Sequence, residues 1–292
     1  VAYELDMARA SVLVWLVLVA TAAAGGLYAY WSKRVAVDKS VSPLPPRAPV
    51  RAWEKWLTAT VLAMLVLCCL LPLAAVWLKA AAAGSSWAVL LEAQTWAAAW
   101  NTIRFSAAAV AAATVLGVLY AAAARQMAWL RALMFLPFMV SPVCIAFGVL
   151  LLYPQWTASL WLLTATYALL AYPFVAKDVL AAWDGLPKDY AAAARTMGAN
   201  GFQTACYVTA PLLKPALRRG LTLASATCIG EFAATLFLSR PEWQTLTTLI
   251  YDYLGRAGAD NYGRAMVLTA VLTALALAAF LLVDEAEGQK AV

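Results

Sequence analysis

Seven apolar runs, each about as long as a bilayer core is thick, lie along the chain at 11–31, 57–79, 102–124, 132–153, 157–181, 213–238 and 265–283. A helix rises about 1.5 Å per residue, so roughly 20 apolar residues cross a hydrocarbon core of about 30 Å. The runs lack the period-two alternation of a membrane barrel. The predicted fold class is therefore all-α, a polytopic transmembrane helical bundle of about seven spans. Polar segments separate the runs. Residues 32–56 form a basic linker with Pro43, Pro45, Pro46 and Pro49, a composition that resists helix. Trp87, Trp96 and Trp100 precede the third span, where indoles suit the membrane interface. Longer polar intervals follow at 183–209 and 239–264, and residues 284–292 make a tail.

The distribution of positive charge orients these spans. With sides alternating at each run, fifteen of the 21 Lys and Arg residues fall on one side. Cytoplasmic loops carry the excess of Lys and Arg. The linker, the 183–209 interval and the C-terminal tail are predicted inside; the N-terminus and the 239–264 segment are predicted outside. The net charge of +6 is then a topological signal. No basic stripe interleaved with aromatics marks a nucleic-acid surface, so the bilayer, not nucleic acid, is the expected medium.

Composition agrees. Of 292 residues, 65% are hydrophobic and 12% charged, against about 25% charged in soluble domains. Cys68, Cys69, Cys144, Cys206 and Cys228 form no CxxC pair and read as buried free thiols. The chain has no histidine, which removes the commonest metal ligand and any Ser/His/Asp or Cys/His constellation. No GxxxxGK[ST] phosphate loop and no acidic cluster with metal spacing occur. No catalytic site, metal or cofactor is expected, and the chain is not expected to bind or hydrolyse ATP itself.

The 183–211 interval is the most informative segment. Leu186-Pro187 gives a rigid entry, and Lys188, Asp189 and Tyr190 open a short alanine helix that ends near Arg195, Thr196 and Met197. Gly198 stops it, because glycine accepts the left-handed conformation of a helix exit. Small side chains let another surface approach the backbone; the simpler reading is a loop helix lying on the membrane. Ala193-Ala194, Gly198, Val208, Ala210 and Pro211 resemble the signature of permeases of binding-protein-dependent ABC importers: Glu-Ala-Ala, three residues, Gly, nine residues, Ile-x-Leu-Pro. Ala192 stands where that signature has glutamate. The resemblance implies a type I importer permease (MetI-like) fold in which this loop is a coupling helix seated on a cytoplasmic ATPase dimer, with Asp189, Ala192, Ala193, Ala194, Gly198 and Pro211 at the contact. It also implies an extracytoplasmic solute-binding protein.

The resemblance extends further. Residues 229–256 and 261–272 are similar to the late segment of the thiamine and ferric-iron permease group, which implies one of those two substrates. Residues 1–18 look like the last helix of the first half of a fused two-unit permease. The chain starts at Val1 with neither an n-region nor a cleavage site, so a longer parent is expected. The implied organisation is a last helix of a preceding permease unit (1–31), the linker (32–56), a six-helix unit (57–283) and the tail (284–292), in the inner membrane of a bacterium.

Two positions are candidates for the pathway. Glu231 is an ionisable group within the sixth run, and a carboxylate at membrane depth is by default functional. It would suit a cationic substrate; the alternative is a structural carboxylate paired with a neighbouring helix. Ser141-Pro142 interrupts the fourth run, where a kink lines a cavity or only aids packing. Tyr172-Pro173 offers the same choice in the fifth. Arg240, Pro241, Glu242 and Trp243 form an outer loop that either meets a binding protein or anchors at the interface. The leading reading is an ATP-driven importer permease; the alternative is a gradient-driven secondary transporter of a small cation.

Overall fold

A computed structural model describes residues 51–134, 136–156 and 159–284, with single positions between 12 and 23. Those single positions apart, the expected first span, its linker up to residue 50 and the tail 285–292 lie outside the described residues. Nine helices organise the rest: α1 (Ala52–Ala81), α2 (Ala93–Gln126), α3 (Pro142–Leu152), α4 (Leu160–Gly185), α5 (Lys188–Thr196), α6 (Ala210–Ile229), α7 (Ala233–Leu238), α8 (Leu246–Gly255) and α9 (Ala259–Asp284). Shorter helical turns join them, and no strand occurs among the described residues.

Four helices, α1, α2, α4 and α9, are long and apolar enough to cross a membrane. The sequence predicts six single spans over this region, and two need correction. The fourth is divided into Ala128–Leu133, Leu136–Met139 and α3. Pro142 has no N–H to give and pushes the residue before it out of the helical region; Ser141 is extended, at φ −58° and ψ 134°. The sixth divides into α6 and α7, with a gap at 230–232. The linker boundary also moves, since α1 starts at Ala52. Glu54 in its first turn accepts the Arg51 N–H at 3.2 Å, where the helix dipole favours negative charge. By contrast, α4 runs unbroken through Pro173, which is fully buried, so this proline serves packing.

The main core lies where α2, α4 and α6 cross. Apolar lipid offers no hydrophobic reward for helix association, so contact depends on close fit and small residues. Ala109, Ala113, Ala168, Ala171, Ala176 and Ala224 are fully buried. The expected close packing of the alanine-rich stretch in α2 is realised at its inward positions. The tightest point is Val175. A Cβ on Gly117 of α2 would lie 2.7 Å from the Val175 Cβ, and one on Gly220 of α6 would lie 2.7 Å from the Val175 Cα. Only hydrogen fits at either place.

A second core joins α1, α8 and α9 through Ala80, Val89, Leu246, Leu249 and Leu268. Polar contacts seal that end. Arg264 pairs with Glu92 at 2.6 Å and Asp260 at 2.8 Å, Tyr253 donates to Glu92 at 2.9 Å, and Ser86 donates to Asp260 at 2.8 Å. The expectation of buried thiols needs correction: all five cysteines are free, but Cys68, Cys69 and Cys206 are exposed, Cys144 is half-buried and Cys228 is buried.

Gly220→Ala forces its methyl against backbone that has no room to yield. It should lower stability by about 1–3 kcal/mol, read as a fall in the thermal midpoint of the purified protein. Gly185→Ala, which meets open space, should leave the midpoint unchanged.

Candidate functional site

Two places combine irregular backbone with specific contacts: the α4–α6 connection, and the paired breaks in the interrupted spans. The first contains the residues singled out for coupling. Helix α5 forms as predicted. Asp189 sits in its first turn, where its charge complements the dipole, and Arg195 in its last. Gly198 has φ +90°, and a methyl group at its Cα would meet open space, so glycine is required here by backbone conformation and not by crowding. The Gly198 and Ala199 N–H groups donate to Arg195 O and Ala194 O, both at 3.0 Å, and close the helix end.

The chain restarts at once. Asn200 Oδ1 accepts the Gln203 N–H at 2.8 Å, and Gln203 Oε1 accepts the Asn200 N–H at 2.9 Å, a reciprocal cap. A π-helical turn at Ala205–Thr209 then leads directly into α6, so Pro211 lies within the first turn of that helix. The alanines divide by facing. Ala194 is 4% exposed, whereas Asp189, Ala192, Ala193, Gly198 and Pro211 are exposed. Tyr190, Met197, Phe202 and Tyr207 also present large apolar surfaces along this segment. Ala192, Tyr190, Arg195, Val208, Thr209 and Arg125 border a cavity of about 300 Å³ behind it.

Sequence reasoning missed the clamp that holds this connection. Asp184, at the end of α4, accepts Arg131 Nη1 at 2.7 Å and Nη2 at 3.2 Å, and Arg125 Nε lies 3.7 Å away. Arg131 Nε also donates to Ala124 O at 3.0 Å, and the Arg125 guanidinium stacks over Trp183 at 4.8 Å. The end of α2 and the turn after it are thereby tied to the helix that enters the loop. One carboxylate among loop cations was the available signal; counting charges by side hid it.

The second place lies toward the other end of α4. Ser141 and Glu231 each stand at a helix break, and the structure brings the segments beyond those breaks together: α3 packs on α7, with Phe147 edge-on to Phe237 at 6.1 Å. Glu231 is 7% exposed. Its Oε1 accepts the Ala234 N–H at 3.1 Å, so the carboxylate caps α7. Its carbonyl accepts Thr247 Oγ1 at 3.0 Å and the Tyr167 hydroxyl at 3.3 Å; Tyr167 also bonds Thr235. Tyr167, Thr235 and Thr247 carry no pattern in the sequence, because they matter only by meeting this break. The turn Pro241–Trp243 is pinned from α2. Asn101 Nδ2 donates to Glu242 O at 3.1 Å and to Gln244 O at 2.8 Å.

The bundle has two interrupted apolar runs, and a short helix, α5, follows directly on α4, whose end is clamped to α2. The chain belongs to the family described as binding-protein-dependent transport system inner membrane component, matched over residues 113–284. It is 29% identical over 203 residues to the putative 2-aminoethylphosphonate transport system permease protein PhnV of Salmonella typhimurium, covering 66% of this chain and 72% of that protein. It is 32% identical over 164 residues to the sulfate transport system permease protein CysT of Escherichia coli, covering 51% of this chain and 58% of that one. Its fold matches a bacterial ABC transporter involved in import of the acidic polysaccharide alginate, with a TM-score of 0.65 at 18% identity over 83% of this chain and all of that one. The two sequence relatives are named for 2-aminoethylphosphonate and sulfate, not for the thiamine or iron that the late-segment resemblance implied.

Asp184→Ala should lower the thermal midpoint by a few degrees. The Arg131 and Asp184 side chains are 43% and 33% exposed, so loss of the pair should amount to about 1 kcal/mol or less. Asp184→Glu should recover most of the shift. Glu231→Gln keeps an oxygen to cap α7 and should assemble like the parent, while Glu231→Ala loses the cap and should assemble poorly. Yields of monodisperse protein on size exclusion compare the two.

Proposed function

We propose that the chain is a permease unit of an ATP-driven importer, forming the translocation pathway for a small oxyanion. The observation that carries this reading is the α5 segment: an exposed apolar face on a short helix, closed by Gly198 and fastened to the core through Asp184, inside the family match. Such a helix can act as a lever, because a rigid element joined to a two-state bundle transmits motion. In this proposal a cytoplasmic ATPase dimer grips the exposed Asp189, Ala192, Ala193, Gly198 and Pro211, whereas Ala194 is buried and lies behind that contact, and an extracytoplasmic binding protein delivers the solute at the other end. The 183–211 interval and the C-terminal tail face the cytoplasm of a bacterium, in keeping with the sorting of Lys and Arg. Residues 52–284 form the membrane unit of this proposal.

Two observations favour an oxyanion over the cation first expected. The relatives above are named for a phosphonate and for sulfate. The Glu231 carboxylate, which would attract a cation, is turned onto the Ala234 amide. Ser141 and Glu231 remain pathway positions in this reading because of the breaks they occupy, since irregular backbone at membrane depth is tolerated where it lines a cavity.

Cysteine at Ala193 should crosslink to a cysteine in the groove of the partner ATPase in the assembled complex. Absence of crosslinks at Ala192, Ala193 and Met197 alike would refute the docking. Uptake of a phosphonate or sulfate into vesicles should require ATP hydrolysis; uptake that persists with an inactive ATPase would support a gradient-driven carrier instead.

A further inference from the structure

An open cavity of about 440 Å³ lies beside the turn Pro241–Trp243, lined among others by Gln94, Thr235, Ser239, Arg240, Gln244 and Asp252. It lies at the end of the bundle remote from α5. Thr235 contacts Tyr167, near the start of α4, whereas Asp184 ends that helix; the intervening residues rise roughly 25 Å at 1.5 Å each. The cavity is a constructed feature. Asn101, 5% exposed, holds the backbone at both Glu242 and Gln244. Gln94 Nε2 donates to Gln244 Oε1 at 2.8 Å, and Gln244 in turn donates to the Asp252 carboxylate. Its floor, Thr235, is fully buried and joins through Tyr167 to the Glu231 carbonyl at the break between α6 and α7.

Its charges are arranged unusually. Arg240 and Asp252 line one cavity, yet among the described residues neither takes part in an ion pair. The Arg240 guanidinium lies over the Trp243 ring at 5.3 Å, which steadies it and leaves its in-plane N–H donors directed elsewhere. A fixed guanidinium suits a tetrahedral oxyanion, with which it can form paired hydrogen bonds. The Asp252 carboxylate retains acceptor capacity for a cationic group.

We propose that this cavity is a solute subsite for a small zwitterion, with the oxyanion end on Arg240 and an ammonium end on Asp252. It would receive the solute outside the membrane and pass it toward the break at 230–232. This rests on the oxyanion reading above and narrows it to oxyanions that carry an amine.

The test uses the permease assembled with its ATPase in nanodiscs, without binding protein, and radiolabelled 2-aminoethylphosphonate, with ethylphosphonate as the competitor that lacks the amine. The parent complex should bind the label saturably and prefer it to ethylphosphonate by roughly tenfold, the size of one charge-assisted contact. Asp252→Asn should abolish that preference and leave ethylphosphonate binding unchanged. Arg240→Gln should weaken both compounds by roughly tenfold or more, and Arg240→Lys should restore part of the loss. Both side chains are exposed, so the variants should assemble, which co-elution with the ATPase verifies. Binding unchanged in both variants, or no saturable binding by the parent, overturns the subsite. ATP-dependent sulfate and phosphonate uptake is measured in parallel on the parent. Uptake without cavity binding defeats the subsite alone, whereas absence of uptake for every oxyanion defeats the functional reading as well.

Discussion

Inside a bilayer no water is available to a backbone N–H or C=O, so every interruption of a helix has to be repaired by protein groups. That constraint governs the architecture around residues 230–232. Leaving the helix there frees the Glu231 carbonyl and the first amides of α7. Tyr167 and Thr247 take up the carbonyl, and the Glu231 carboxylate takes up the Ala234 amide. The three donors and acceptors come from α4, α8 and the break itself. The break is therefore specified by the packing of several elements, and α4 has to stand at a particular height to supply Tyr167.

That height is set by crowding. Gly117 and Gly220 bring α2 and α6 onto opposite sides of Val175, and interlocked helices at this distance shift as bodies more readily than they deform. The same α4 carries Asp184 at its far end, just before α5, where Arg125 and Arg131 tie it to α2 and to the short helix Ala128–Leu133. One continuous helix thus connects the exposed loop segment with the buried break. In the proposed coupling, a displacement of α5 would pass along α4 to Tyr167, which bonds Thr235 at the cavity floor.

Much of this was legible in the chain. Long apolar runs identified α1, α2, α4 and α9 because twenty or so apolar residues have few alternatives to a spanning helix. Leu186-Pro187 and Gly198 delimited α5 to within a residue or two, since both act through local backbone geometry. Ser141-Pro142 marked one break for the same reason. The other break carried only Gly230, and glycine within an apolar run is compatible with continuous helix. Hydropathy therefore merged α6 with α7. Asp184 escaped notice because its partners lie fifty or more residues away along the chain.

The sequence by itself determined that this is a helical membrane protein with a short, glycine-closed helix between two spans. Those properties follow from transfer free energy and from dihedral preference, both of which are local to each segment. Tertiary structure alone decided which carboxylates do what. Glu231 caps a half-helix, Asp184 clamps two arginines, and Asp252 shares a cavity with Arg240 without pairing to it. A carboxylate's role depends on the donors and charges within a few ångströms of it, and in a bundle those neighbours arrive from distant parts of the chain.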